Sequence, residues 1–210
     1  MLYLLIPVYN EEKNISLLHK NITESLLKHE KFYVFSDDGS SDGSLDEIRR
    51  LFKNEKYTII SDGKNHGPGI AFNKGFNWIL QNAVNENDRI VTMEADNTSD
   101  ISILPAMVSI SELGFDLVLA SVYAQGGGFD KTSFFRKFIS FGANMMMRYF
   151  FNINVLTISS FYRVYSLQII KKINAKYAPV IENRGFICML EVLLKAIRLN
   201  ASVIEVPMKL

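Results

Sequence analysis

The sequence predicts an α/β fold, with a mostly parallel central sheet flanked by helices and a ligand site along one edge. Three observations carry this. β-prone runs alternate with helical periodicity from the first residue onward. The β-prone runs are short and continuously apolar, the pattern of parallel strands covered on both faces. The early strands also exit into polar, acidic or glycine-rich turns, and open α/β sheets bind ligands at such exits.

Residues 2–8 read as a buried first strand ending in Pro7-Val8-Tyr9-Asn10-Glu11-Glu12. The helix that follows is marked by Ile15, Leu17, Leu18, Ile22, Leu26 and Leu27, with Asn10 as the expected cap and acidic residues in its first turn. Residues 31–36 form a second strand, which leaves through DDGSSDGS into a helix opened by Asp42 or Ser44. A third strand over 57–61 leads through Asn-His-Gly-Pro-Gly into a helix over 70–84. The fourth strand precedes a helix over 101–113, capped by Ser99 or Asp100, and residues 115–120 form a fifth. Residues 134–151 read as a Phe- and Met-rich helix carrying Arg136, Lys137 and Arg148, either core or resting on a bilayer. Residues 154–165 read as a strand or irregular crossing segment, 184–199 as a helix burying Phe186 and Ile187, and 203–206 as a last strand.

Bulk properties exclude several classes. The 210 residues suffice for one domain with a substantial core. Twenty-three basic residues nearly cancel twenty-two acidic ones, and no basic stripe argues for nucleic acid. Cys188, the single cysteine, leaves no disulfide framework and suits a reducing, cytoplasmic setting. The apolar start lacks a basic leader region and reads as a strand, and no run of about 18 uncharged apolar residues encodes a spanning helix. Neither a GxxxxGK[ST] phosphate loop nor a GxGxxG fingerprint is present, which disfavours an NAD-binding domain.

The organising stretch is 89–100, RIVTMEADNTSD. Only Ala95 separates Glu94 from Asp96, so in extended backbone both carboxylates can face one point at the strand's exit. Such a pair suits Mg²⁺ or Mn²⁺, whose other positions go to water and phosphate oxygens. Taken alone, the stretch also reads as an acidic loop before a helix cap.

Taken in order, these segments resemble the family 2 glycosyltransferases of the GT-A fold, in the branch of dolichyl-phosphate mannose synthase and the polyprenyl-phosphate sugar transferases. IPVYNEEKNI, SDDGSSDGS, NHGPGIAFNKGF, MEADNTSD, FFRKFISFGANMMMR, SSFYRVY and EVPMKL carry the likeness, which covers nearly the whole chain. The resemblance implies that Pro7, Tyr9 and Glu11 line the base and ribose pocket, with Asp37 accepting from the base and Asp38 shaping the turn. It implies that Gly67 and Gly69 let backbone approach the nucleotide. Asp96 would bind the metal, assisted by Glu94 and Thr98. Arg136 and Arg163 would meet phosphate charge on donor or acceptor. Glu191 matches a family acidic position, although Lys195 four residues on also makes it one half of a helix ion pair.

The chain departs from the family pattern at several places. Glu94 stands at the first Asp of the DxD motif, Ser121-Val122-Tyr123 where many relatives have Gly-Ser-Arg, and Phe161 where a glycine is usual. Relatives continue past EVP with a basic segment and often spanning helices, so residues 1–210 are expected to form a single catalytic domain without that segment.

The implied activity is metal-dependent, inverting transfer from a UDP- or GDP-sugar to a polyprenyl phosphate, with peripheral contact at the cytoplasmic membrane face. A phosphate acceptor is already anionic and needs positioning by cations such as Arg136 and Arg163. A glycan hydroxyl would need a base such as Asp100 or Glu191. A catalytically weak sugar-nucleotide-binding module is a further reading.

Overall fold

The computed structural model describes residues 1–128 and 155–209. The expected helix over 134–151, with Arg136, Lys137 and Arg148, lies outside them. The described residues build a seven-stranded sheet in the order β3-β2-β1-β4-β6-β5-β7. Its strands are β1 (Leu2–Val8), β2 (Lys31–Asp37), β3 (Tyr57–Ile60), β4 (Arg89–Thr92), β5 (Leu117–Ser121), β6 (Arg163–Ser166) and β7 (Val203–Pro207). All pairings are parallel except those of β6, which lies antiparallel between β4 and β5.

The side-chain alternation of β1 shows how the layers form. Leu2, Leu4, Ile6 and Val8 face one core, while Tyr3 and Leu5 face the other. The first core is covered by α1 (Glu12–Ser25), α2 (Ser44–Leu51) and α4 (Leu104–Glu112). The second is covered by α3 (Pro68–Asn82), α5 (Leu167–Tyr177) and α6 (Cys188–Arg198). Both faces of the sheet are thus buried, which accounts for the unbroken apolar runs.

Four elements differ from expectation. Asn10 does not cap α1; it sits in the left-handed region at φ 57°, and its Oδ1 accepts from Ser41 N–H at 2.8 Å. It therefore links two loops, as Asn tolerates that conformation better than most side chains. Only 163–166 of the expected 154–165 crossing segment is strand, because the residues just before it turn their carbonyls toward Arg163. Helix α5 was not anticipated, although Ser166 caps it by accepting from Ile169 N–H, and Ile169, Ile170 and Ile173 form its buried face. The last helix starts at Cys188 and not at 184, leaving Phe186 and Ile187 72% and 58% exposed. Asp100 does cap the turn before α4, accepting from Ser102 N–H at 3.0 Å.

Candidate active site

The exits of β1, β2 and β4 converge at one end of the sheet. The first two are tied together by side chains. Glu11 N–H donates to Ser44 Oγ at 2.7 Å, Glu12 N–H to Asp42 Oδ2 at 3.2 Å, and Gly43 N–H to Glu12 Oε2 at 3.1 Å. Short polar residues at 40–44 satisfy backbone donors that the strand ends leave open.

A cleft of about 330 Å³ lies between these loops and the end of β4. Pro7, Tyr9, Glu11, Asp38, Gly67, Glu94 and Asp96 all line it, together with Asn65 and with Phe186, which the sequence places in a buried helix face instead. A second cavity of about 200 Å³ adjoins it and shares Glu94; Thr98, Thr157, Ser159, Ser160, Phe161 and Tyr162 are among its walls. The second cavity's described lining is rich in hydroxyls and carries no cation.

Glu94 stands where the two meet, and Asp96 lines the first. The Asp96 Oδ1 accepts from Thr98 N–H at 3.0 Å and from the Thr98 hydroxyl at 2.8 Å, which fixes the carboxylate. Thr98 therefore acts by orienting Asp96. Glu94 makes no hydrogen bond among the described residues. Burial, then the Asp96 and Glu11 carboxylates, push its pKa up to about 7. Two hard oxygen donors, one of them half-buried and uncompensated, fit a divalent cation completed by water and diphosphate oxygens. Among the described residues no group of three His, Cys, Asp or Glu side chains could enclose a metal alone.

Several expected roles change. Asp37 is buried, and its carboxylate already accepts from Gly39 N–H, Ser40 N–H and the Ser61 hydroxyl. It shapes the turn and does not line the cleft, whereas Asp38 does line it and accepts from His66 N–H at 2.7 Å and Gly67 N–H at 2.9 Å. Both aspartates thus brace loops, Asp37 the turn at 39–40 and Asp38 the glycine loop at the wall of the cleft.

Arg163 is 0% exposed, and its guanidinium donates to the carbonyls of Ser160, Met189 and Ile158 and to the Tyr165 hydroxyl. With every guanidinium nitrogen committed inside the protein, it cannot meet a phosphate. It is a tie between β6, the segment before it and the first turn of α6. Arg136 lies outside the described residues.

Glu191 does not line either cavity of the cleft. It pairs with Lys195 at 2.7 Å and accepts from the N–H groups of Glu182 and Asn183. Burial opposes its charge, but the Lys195 hydrogen bond and the two backbone donors together lower its pKa. An anion held this way is a poor proton acceptor.

Gly67 and Gly69 admit backbone closely, but the backbone is the protein's own. Gly67 sits at φ 94°, and a Cβ there would lie 2.6 Å from Arg184 O; one on Gly69 would lie 1.8 Å from Asn183 O. Gly69 N–H, the first free donor of α3 after Pro68, is taken by Arg184 O at 3.0 Å.

The sequence profile of glycosyl transferase family 2 matches residues 3–174. The chain belongs to glycosyl transferase family 2. Its curated relatives include the polyprenol monophosphomannose synthase of Mycolicibacterium smegmatis, 27% identical over 97% of this chain and 74% of that protein. They also include the undecaprenyl-phosphate mannosyltransferase of Micrococcus luteus, 26% identical over 97% of this chain and 80% of that protein. Among solved structures, glucosyl-3-phosphoglycerate synthase from Mycobacterium tuberculosis, in complex with Mn²⁺, UDP and phosphoglyceric acid, superposes with a TM-score of 0.72. That match covers 100% of this chain and 69% of the synthase at 14% identity, and establishes the shared GT-A fold. The names of these curated relatives match the branch that the motifs of this family 2 glycosyltransferase resemble.

Proposed function

We propose that this glycosyltransferase moves a hexosyl group, with inversion, from a UDP- or GDP-sugar to a polyprenyl phosphate, using Mg²⁺ or Mn²⁺. The carrying observation is the Glu94–Asp96 pair, with Glu94 uncompensated where the two cavities meet and Asp96 in the wall of the first. Tyr9, half exposed, offers a ring for the base to pack on, and Pro7 and Glu11 bound the same wall. Asp96 and Glu94 would hold the cation, which offsets the negative charge growing on the departing diphosphate oxygen, where stabilisation matters most. Thr98 keeps Asp96 in position for this without reorganisation. The hydroxyl-rich second cavity suits a sugar ring, which hydrogen bonds and carries no charge.

The acceptor reading rests on the relatives and on the bases. Glu191 is engaged by Lys195 and two N–H groups, and Asp100 by the N–H and hydroxyl of Ser102. Neither is placed to take a proton from a glycan hydroxyl, whereas a phosphate acceptor arrives already ionised. Cations for that phosphate would come from Arg136 and its neighbours. The same reading makes residues 1–210 one catalytic domain, working at the cytoplasmic membrane face.

A thermal-shift screen of UDP- and GDP-sugars with Mn²⁺ or EDTA tests the donor side. A true donor at a hundredfold excess over Kd adds about 2.7 kcal/mol of stability. Asp96→Ala should keep the fold yet lose that metal-dependent shift and, in transfer to a polyprenyl phosphate, about a hundredfold or more in turnover. Equal shifts with EDTA and Mn²⁺, in wild type and Asp96→Ala alike, would reject the metal site.

A further inference from the structure

The segment 178–187 joins α5 to α6 as an extended strap across the N-terminus of α3. Val180 and Ile181 anchor its first part in the second core, and hydrogen bonds fix it from below at several points. Glu191 accepts from Glu182 N–H at 3.0 Å and from Asn183 N–H at 3.0 Å. Lys195, 8% exposed, sits 2.7 Å from Glu191 Oε1 and donates to the carbonyls of Pro179 and Val180, each at 3.1 Å. Asn73 of α3 accepts from Ile181 N–H at 3.1 Å. At its far end the strap closes on the glycine loop, with Arg184 O taking Gly69 N–H and lying against Gly67. Immediately beyond, Phe186 lines the nucleotide cleft and meets Phe161 edge-on at 6.1 Å.

We propose that Glu191 and Lys195 are positioning residues: a clasp that holds the strap on the Gly67–Gly69 loop and so sets donor affinity, taking no part in the chemistry. The physical route is continuous. The Glu191 carboxylate orders two consecutive N–H groups, and this aims the following carbonyls at the glycine loop. Gly67 and Gly69 lack the Cβ atoms that would keep those carbonyls away. The loop so fixed presents Gly67, Pro68 and Asn65 to the cleft, and the strap presents Phe186 from the other side. Glu191 thereby acts on the donor from outside the cleft. Lys195 supplies the charge that keeps Glu191 ionised in its half-buried place.

The proposal deepens the donor reading and rests on it, so one measurement is independent of any ligand. In the full chain, Glu191→Ala should speed amide exchange at Gly69 about tenfold or more, since loosening the strap frees a donor otherwise held by Arg184 O. UDP and GDP, each titrated calorimetrically with Mn²⁺, should bind Glu191→Ala about tenfold more weakly than wild type, a loss of about 1.4 kcal/mol. Glu191→Gln keeps a carbonyl acceptor for the strap and should recover part of that affinity. A catalytic base would instead be lost as fully in Gln as in Ala, with nucleotide affinity untouched. Gly69→Ala, which pushes the strap off from the other side, should weaken binding non-additively with Glu191→Ala, because both act through one element. If Glu191→Ala fails to fold because Lys195 is left as a buried lone charge, Glu191→Gln/Lys195→Met carries the same comparison. Unchanged Gly69 exchange, or wild-type nucleotide affinity in the variants, overturns the clasp. Failure of wild type to bind either nucleotide overturns the donor reading and the claim on affinity with it, while the exchange measurement still decides whether the strap is held as proposed.

Discussion

Glu94 carries a proton cost that can be measured. Its folded pKa of about 7 lies above its ordinary 4.5, so between these values the folded state binds more protons than the unfolded state. Stability therefore falls as pH rises through that window and stays reduced above it. In EDTA, Glu94→Gln should melt higher than wild type at about pH 8, and the gap should close toward about pH 4. A wild type as stable as the variant at the higher pH would mean that the carboxylate is already compensated. Arg163 gives the opposite case, a charge whose removal is costly. Arg163→Met removes the guanidinium donor from three carbonyl groups, of which only that of Met189 keeps a helical partner, and chemical denaturation should show a loss of roughly 3–5 kcal/mol. A loss below about 1 kcal/mol would show that those carbonyls find other donors or water. In the sequence Arg163 reads as an anion binder because residue type declares its charge. What decides its role is which distant carbonyls converge on it, and no local pattern encodes that. Glu94 and Asp96 were legible for the converse reason: their relation is local, set by the alternation of a strand end.

Among the described residues, the sheet and five of the six α-helices follow from apolar periodicity. The strap is where that reasoning fails. Phe186 and Ile187 continue the helical apolar spacing of α6 backward, yet the helix begins only at Cys188 because residues 182–184 are spent on α3 and Glu191. Tertiary hydrogen bonds override a local pattern there. Helix α5 differs, since its signals were present: Ser166 three residues before Ile169, then Ile170 and Ile173 on one face. The helix extends directly from β6 with no glycine or proline between them to mark the boundary. Ser166 also donates to Asp116 Oδ1 at 3.0 Å, so it joins the helix start to the neighbouring strand. Ser166→Ala should therefore cost about 1–2 kcal/mol in urea unfolding, toward the upper end for a lost cap. A change within a few tenths would mean that water replaces the cap.

At the scale of the molecule, the described residues contain no helix long and apolar enough to cross a membrane. The residues 134–151 nevertheless combine Phe and Met with Arg136, Lys137 and Arg148, and Phe186 and Ile187 lie exposed near the cleft. Binding to liposomes containing anionic lipid is expected at low ionic strength and should weaken as salt rises, because surface charge supplies part of the affinity. Flotation assays across a salt series check this. No association at any salt, with full transfer activity in Arg136→Ala, would favour a soluble acceptor.

The placement of β6 also bears on how the chain comes to exist. Strands β4 and β5 follow one another in sequence but are separated in space by a strand that arrives more than forty residues after β5 ends. On a ribosome, the first five strands emerge with the slot between them empty, and each bordering strand presents unpaired N–H and C=O groups. Only when residues 163–166 appear can the slot close, and Arg163 then binds it to the first turn of α6, further along still. Assembly of the sheet thus waits until residues well beyond β5 have been made. A polypeptide released early would offer two open edges to any neighbouring chain able to extend them.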